Sequence, residues 1–460
     1  MIKMTPKRVT VVLLIGLILV TSMFSGCRSD IDYKKLYGDE VSDKTLRVCL
    51  DCWRMDPTTS SDVAQHEYDT NLYLQGLAAE IKKACNIEKL VFEVLPQSGA
   101  ERETILQRLR TEIMSGGGPD LFIMDTKLEP MDYERAIGED AMPLINFPEK
   151  SMEIGLFLPL DEYMENHTQF TDWNNQTKAV MDAGRNEEGQ LIIPLTYTLP
   201  IFIYPKSAID PSISEMTMWD ILEDPDTSEF GAALYSLTGR KEADGLDTPF
   251  VLGKFADYQT EQLLFTEDEL YKVIETSYNL QDEAENIQLQ YFESEASYHG
   301  VFHKVNLEYF DAEMTLVPVY SMNGGVVASV ESYAAVNRNT KFPKEAFSVI
   351  DYIMQEDMQR SSDFYYNYFS DGLPMQNDLG QEGKSLNAAS NPEGILTQPY
   401  YEDLLTIKEQ ITAVNFQGRL ESVLRELMTE IVIDVTINGN EPKREDVTAA
   451  YEQMKRMLGE

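Results

Sequence analysis

Positive charge is scarce in this chain. Lys and Arg number 38 against 78 Asp and Glu, for a formal net charge of −40. A nucleic-acid binder needs a basic face, so that class is excluded, and so is charge-driven adhesion to an anionic bilayer. The acids are dispersed, which reads as a solvated surface rather than a cation site. Histidine is scarcer still, at four residues. His299 and His303 stand four apart with no third ligand evident nearby, so no metal and no cofactor are expected. The cysteines number four: Cys27, Cys49, Cys52 and Cys85. Cys49 and Cys52 form a C-x-x-C on a strand and its exit, whereas a redox pair usually opens a helix, so no redox role is expected. A bridge from Cys85 to one of them stays open. There is no G-x-S-x-G for a hydrolase nucleophile. The run Gly116–Gly118 precedes a strand and no Gly-Lys-Ser/Thr directly follows it, so it reads as a helix cap and turn, not a phosphate loop.

Long apolar runs are also lacking, with one exception. Val9–Val20 is almost wholly apolar but falls short of the ~18–20 residues that span a bilayer. It follows Lys3, Lys7 and Arg8 and precedes Phe24-Ser25-Gly26-Cys27. A basic start, a short apolar stretch and small residues before a cleavage point make a secretory signal. Small residues directly before a Cys resemble the lipobox of bacterial lipoproteins. That resemblance implies removal of residues 1–26, a lipid on Cys27, and residues 27–44 as a polar tether. Two acyl chains hold a protein on a membrane stably where one does not. The expected location is the extracellular face of the cell membrane of a Gram-positive-type bacterium, where lipid retains a protein that no outer membrane encloses.

What remains exceeds the size one core usually supports, so two lobes are expected. The chain alternates strand and helix signals: a strand over Thr45–Leu50, a helix over Asn71–Cys85, a strand over Lys89–Leu95, a helix over Glu101–Ser115, a strand over Leu121–Met124. This predicts an α/β fold with a parallel sheet. In such sheets ligands bind beyond the carboxyl ends of the strands, here Asp51-Cys52-Trp53, Pro96-Gln97-Ser98 and Met124-Asp125-Thr126. Gly189–Lys206 is an extended apolar run, too long and too interrupted by Pro194 and Pro200 for one ordinary strand. It reads as a segment crossing between lobes. Thr217 is a candidate helix cap, a helix is expected from Lys344 to about Asp363, and two more helices, Glu421–Thr436 and Glu445–Leu458, close the chain.

Six stretches then stand in a shared order: MSGGGPDLFIMD (114–125), FLPLDEYM (157–164), EGQLIIPLTYTLP (188–200), TMWDIL (217–222), SYAAVNRNTKFPKEAFSVIDYIM (332–354) and GLPMQND (372–378). In that order they resemble extracellular solute-binding proteins of the class that includes the maltose-binding protein. The resemblance implies a two-lobed periplasmic-binding-protein-like fold with about three crossing segments and an interlobe cleft. It places lobe one at 45–195 plus 325–372 and lobe two at 200–322 plus 375–460. The crossings fall near Ile193–Phe202, Asn323–Gly325 and Gly372–Pro374.

Cleft positions implied by the resemblance are Trp53 with Asp51 and Asp56, then Met124 and Asp125, where sugar-binding members often carry an aromatic residue. Tyr197 falls in the first crossing, and Tyr320, Ser321 and Asn323 at the second. Arg419, beside Phe416, is where the C-terminal helices approach. The implied function is capture of a small ligand, a sugar or oligosaccharide, and delivery to the permease subunits of an ABC importer, by a monomer without catalytic residues. Two rivals remain at this level. A glycan-acting surface enzyme needs only two suitably spaced carboxylates. A sensor component would bind the same ligand and pass its bound form to a membrane receptor.

Overall fold

The structure is a computed structural model. It describes residues 44–52, 63–96, 99–126, 143–205, 217, 220, 252–279, 297–302, 314–318, 320–361, 364–365, 372–379, 398–416, 418–434 and 440–459. The signal segment, Cys27 and the tether therefore lie outside the described residues, as do Trp53 and Asp56. No helix among the described residues is long and apolar enough to cross a membrane.

The expected alternation is present. Strand β1 (Leu46–Asp51) leads through helix α1 (Val63–Cys85) to β2 (Leu90–Val94), and α2 (Gly99–Met114) leads to β3 (Leu121–Asp125). Leu74, Leu77 and Ile81 bury one face of α1. The glycine run closes α2 as expected. The Gly116 amide donates to Ile113 and that of Gly117 to Glu112, both at 2.9 Å. Gly116 and Gly118 take φ of +80° and +98°, conformations that favour glycine. Both β2 and β3 pair with β1 in parallel, so their carboxyl ends share one edge.

After the short helix α3 (Pro148–Glu153), the apolar run forms one continuous strand, β4 (Ile192–Pro205). This corrects the expectation that two prolines preclude a single strand. Pairing slips by a residue between Pro194 and Thr196 against one neighbour, and between Leu199 and Ile201 against another. Each proline lies at such an irregularity, where its missing N–H breaks no regular ladder. Helix α4 (Glu267–Asn279), β5 (Ser297–Phe302), β6 (Met314–Pro318) and β7 (Val326–Val336) follow. All 11 residues of β7 are buried, as befits a strand with neighbours on both sides and layers on both faces. The helix expected from Lys344 ends sooner, as α5 (Pro343–Ile353), and a separate turn of helix spans Glu356–Ser361. The remaining elements are β8 (Leu373–Pro374), α6 (Gln398–Glu409), β9 (Ile411–Phe416), α7 (Arg419–Ile433) and α8 (Arg444–Leu458).

Among the described residues nine strands join in one sheet of order β6-β4-β7-β3-β1-β2, with β8 and β5 also on β4 and β9 on β7. The class is mixed α/β, as expected. Two apolar clusters form. The first follows the sheet. The second gathers Leu252 and Phe255 with Leu270 and Ile274 of α4, Leu420 and Leu424 of α7, and Val447 and Met454 of α8. The first cluster does not break at 200 or 375, where the sequence reading divides the lobes. It includes Ile201, Leu316, Leu404, Ile407, Val414 and Phe416. The long β4 carries paired neighbours along both of its halves, so apolar contact is continuous across the crossing.

Candidate functional site

The edge where β1, β2 and β3 end is polar and buried. Asp51 closes β1 and accepts from both terminal nitrogens of Arg102, at 2.7 and 3.0 Å. The Leu144 amide donates to the same carboxylate at 2.9 Å. Arg102 also donates to the Pro96 carbonyl at the exit of β2. One ion pair therefore ties together the ends of two parallel strands, the first turn of α2 and the segment at 143–146. Arg110, two turns along α2, extends the tie to the carbonyls of Pro143 and Leu144 and to Asn146. Its pKa is lowered, first by burial and then by the Arg102 charge.

Met124 and Asp125 end β3, both buried. Met124 lies between Asp51 and Tyr333 in a row of paired residues across three strands, whose side chains share a face. The Tyr333 hydroxyl has no hydrogen-bond partner among the described residues. Burial raises its pKa, and the Asp51 charge adds to that. Its ring meets Phe416 edge-on at 6.0 Å. In the next row Asp125 pairs with Ser332, and Ser332 with Thr196, whose hydroxyls lie 2.6 Å apart. Glu331, also buried, accepts from the Thr198 hydroxyl at 2.7 Å.

The other expected residues sit farther along the chain. Tyr197 is fully buried in β4, with its hydroxyl 3.2 Å from that of Thr177, and burial raises its pKa. Tyr320 donates to Gln410 at 2.8 Å. Ser321 donates to the Gly324 carbonyl at 2.9 Å, within a turn that exposes Asn323. Gly324 and Gly325 take φ of +80° and +74° there. Arg419 opens α7, its backbone N–H reaching the Asn146 carbonyl and its side chain facing Glu426 at 3.4 Å.

The structure thus brings Asp51, Met124 and Asp125 together at one edge. Tyr197 lies in β4, Tyr320 and Ser321 lie in the turn before β7, and Arg419 reaches the edge through Asn146. Asp51 is engaged by the chain itself, so it braces the edge. The sequence reading did not single out Arg102, Thr198, Glu331 or Tyr333. The signal for Glu331 is an acid inside the apolar stretch 326–336, where a charge needs a partner. Cys49, Cys52 and Cys85 form no disulfide with one another, and the Cys52 and Cys85 thiols donate to the carbonyls of Ile123 and Ser348. Burial raises the pKa of Cys49, with Asp51 adding, and raises Cys85 to about 12, so neither is a ready thiolate. No cluster of three or more His, Cys, Asp or Glu among the described residues could hold a metal ion. What the edge holds is hydroxyls, carboxylates and aromatic rings, buried and for the most part hydrogen-bonded within the chain.

No family model and no curated protein matches the sequence. Solved structures do resemble the chain. One is an extracellular solute-binding protein of family 1 from Alicyclobacillus acidocaldarius, at 13% identity and a TM-score of 0.48, covering 90% of this chain and 98% of that one. Another is an ABC substrate-binding protein from Listeria monocytogenes in complex with cycloalternan, at 12%, 0.45, 90% and 98%. A third is the sugar-binding protein MalE from Xanthomonas citri, at 12%, 0.49, 90% and 97%. The similarity is one of overall arrangement at low identity, and the chemistry of the edge is read from this chain's own residues.

Proposed function

We propose that this protein is an extracellular solute-binding lipoprotein that captures a sugar or oligosaccharide and delivers it to an ABC importer. The observation that carries the reading is β4. It pairs with β7 at the ends of the parallel strands and continues beyond that edge to pair with β5, β6 and β8. A ligand lying past the strand ends would then meet groups from both sides of the crossing, and bending of the crossing strands would close the chain on it. The ordered motifs support the same reading, and sugars are what the Listeria and Xanthomonas proteins are named with. The two lobes are those of the sequence reading, with the first apolar cluster shared across the crossing. Lipid on Cys27 and the 27–44 tether hold the cleft near the permease. Trp53 and Asp56, which follow β1 in the sequence, are the contacts we assign to the ligand there.

A thermal-shift screen tests this, using a chain whose Cys27 is replaced. A ligand at 100-fold its Kd stabilises the folded state by about 2.7 kcal/mol. Mono- or oligosaccharides should raise the melting temperature and be recovered unchanged. A shift with other ligand classes but no carbohydrate would refute the sugar assignment, and recovery of cleaved glycan would make the protein an enzyme.

A further inference from the structure

Most polar groups at the strand-end edge are engaged by the chain. Asp51 accepts from Arg102 and from the Leu144 amide, Ser332 bonds to Thr196, and Glu331 accepts from Thr198. Tyr333 differs. It is 1% exposed, yet its hydroxyl has no hydrogen-bond partner among the described residues. A buried tyrosine usually pairs its hydroxyl, because burial removes the water that would otherwise do so. An unpaired one is a standing cost to the fold. Ring packing alone would need only a phenylalanine at this position.

Its place in the sheet is where a ligand is expected. Tyr333 stands in one row with Asp51, the last residue of β1, and Met124, near the end of β3. Ligands of parallel sheets bind beyond such ends. Strand β3 pairs with Ser332–Val336 of β7 and β9 with Val326–Val330, so Tyr333 lies close to where one neighbour gives way to the other. The ring of Phe416, the last residue of β9, meets that of Tyr333 edge-on at 6.0 Å. In the proposed reading Tyr333 belongs to lobe one and Phe416 to lobe two. Parting the lobes would draw Phe416 away and open a route to the hydroxyl.

We infer that Tyr333 anchors the ligand, its hydroxyl pairing with one hydroxyl of the captured sugar. This deepens the proposed function and rests on it. A phenol donates one hydrogen bond and accepts others, as a sugar hydroxyl does. Burial raises the Tyr333 pKa, with the Asp51 charge adding, so the proton to be donated is kept. Buried within the chain alone, the hydroxyl is unpaired. Buried against a sugar hydroxyl it is satisfied, and that difference favours the bound form. A sugar lacking the matching hydroxyl would leave Tyr333 unpaired again, so the residue also sets specificity.

The test is isothermal titration of the Cys27-substituted chain, with and without Tyr333→Phe, against glucose, maltose, mannobiose and their monodeoxy forms. Tyr333→Phe should weaken binding about tenfold. One monodeoxy sugar should lose about the same factor on the chain that keeps Tyr333 and nothing further on Tyr333→Phe. The melting temperature of Tyr333→Phe without sugar should equal or exceed that of its parent, since the variant removes a hydroxyl that nothing pairs. Equal affinity in the two chains overturns the anchor, as do losses from the deoxy sugar and the variant that simply add. A lower melting temperature for Tyr333→Phe without sugar also overturns it, because the hydroxyl would then be engaged already. Binding of none of the sugars overturns the sugar reading and the anchor together, whereas normal binding by Tyr333→Phe overturns the anchor alone.

Discussion

Arg102 and Asp51 form a two-pronged ion pair across 51 residues of sequence, buried where β1 ends. Removing one partner of such a pair leaves the other charge buried without compensation, at a cost of about 3–5 kcal/mol. Arg102→Ala should therefore lose about that much stability in urea unfolding. Arg102→Met combined with Asp51→Leu should recover much of it. A loss under about 1 kcal/mol for Arg102→Ala would show that the edge does not depend on the pair.

Glu331 takes a hydrogen bond from Thr198 across the β4–β7 junction. Thr198→Val keeps the shape and removes the donor, which should cost about 1–3 kcal/mol. Thr198→Ser should retain most of the stability. Equal losses in the two variants, read by thermal unfolding, would assign the effect to packing instead.

Gly325 is where the second crossing turns, at φ +74°. A Cβ placed there would lie 2.1 Å from the Thr412 hydroxyl oxygen. Gly325→Ala should cost about 1–3 kcal/mol from backbone conformation alone, with the Thr412 contact adding to it. Thr412→Ala should relieve only the second part in the double variant.

Lys408 gives a pH prediction with a definite sign. Its folded pKa of about 8 lies below the ordinary 10.5, so between those values the unfolded chain holds more protons. Stability should then rise with pH across that window, with the penalty fully present below pH 8. Lys408→Met should stabilise the protein at pH 7 by about 1–2 kcal/mol, after allowance for residual solvent at the ammonium. It should also flatten the rise, as measured by denaturant midpoints from pH 7 to 10.5.

Much of the fold was legible because its signals are local. The i, i+3, i+7 apolar spacing of Leu74, Leu77 and Ile81 and the triple glycine after Ser115 each depend on neighbours within a few residues. The continuous β4 was not legible, because whether Pro194 and Pro200 break a strand depends on bulges set by partner strands far away in sequence. The same distance hid the site's supports. Arg102 finds Asp51 51 positions away, and Thr198 finds Glu331 133 away. Motif order pointed to the strand ends and the crossings, but it could not show that Asp51 faces inward to an arginine while Tyr333 fills the adjoining row.

The central claim is tested most directly by isothermal titration of the Cys27-substituted chain with a panel of mono- and oligosaccharides, beside Trp53→Ala. The account predicts saturable 1:1 binding of at least one sugar. It also predicts that Trp53→Ala weakens binding at least tenfold, about 1.4 kcal/mol, with little change in the unliganded melting temperature. No heat with any carbohydrate, or a Trp53→Ala variant that binds normally, would contradict it.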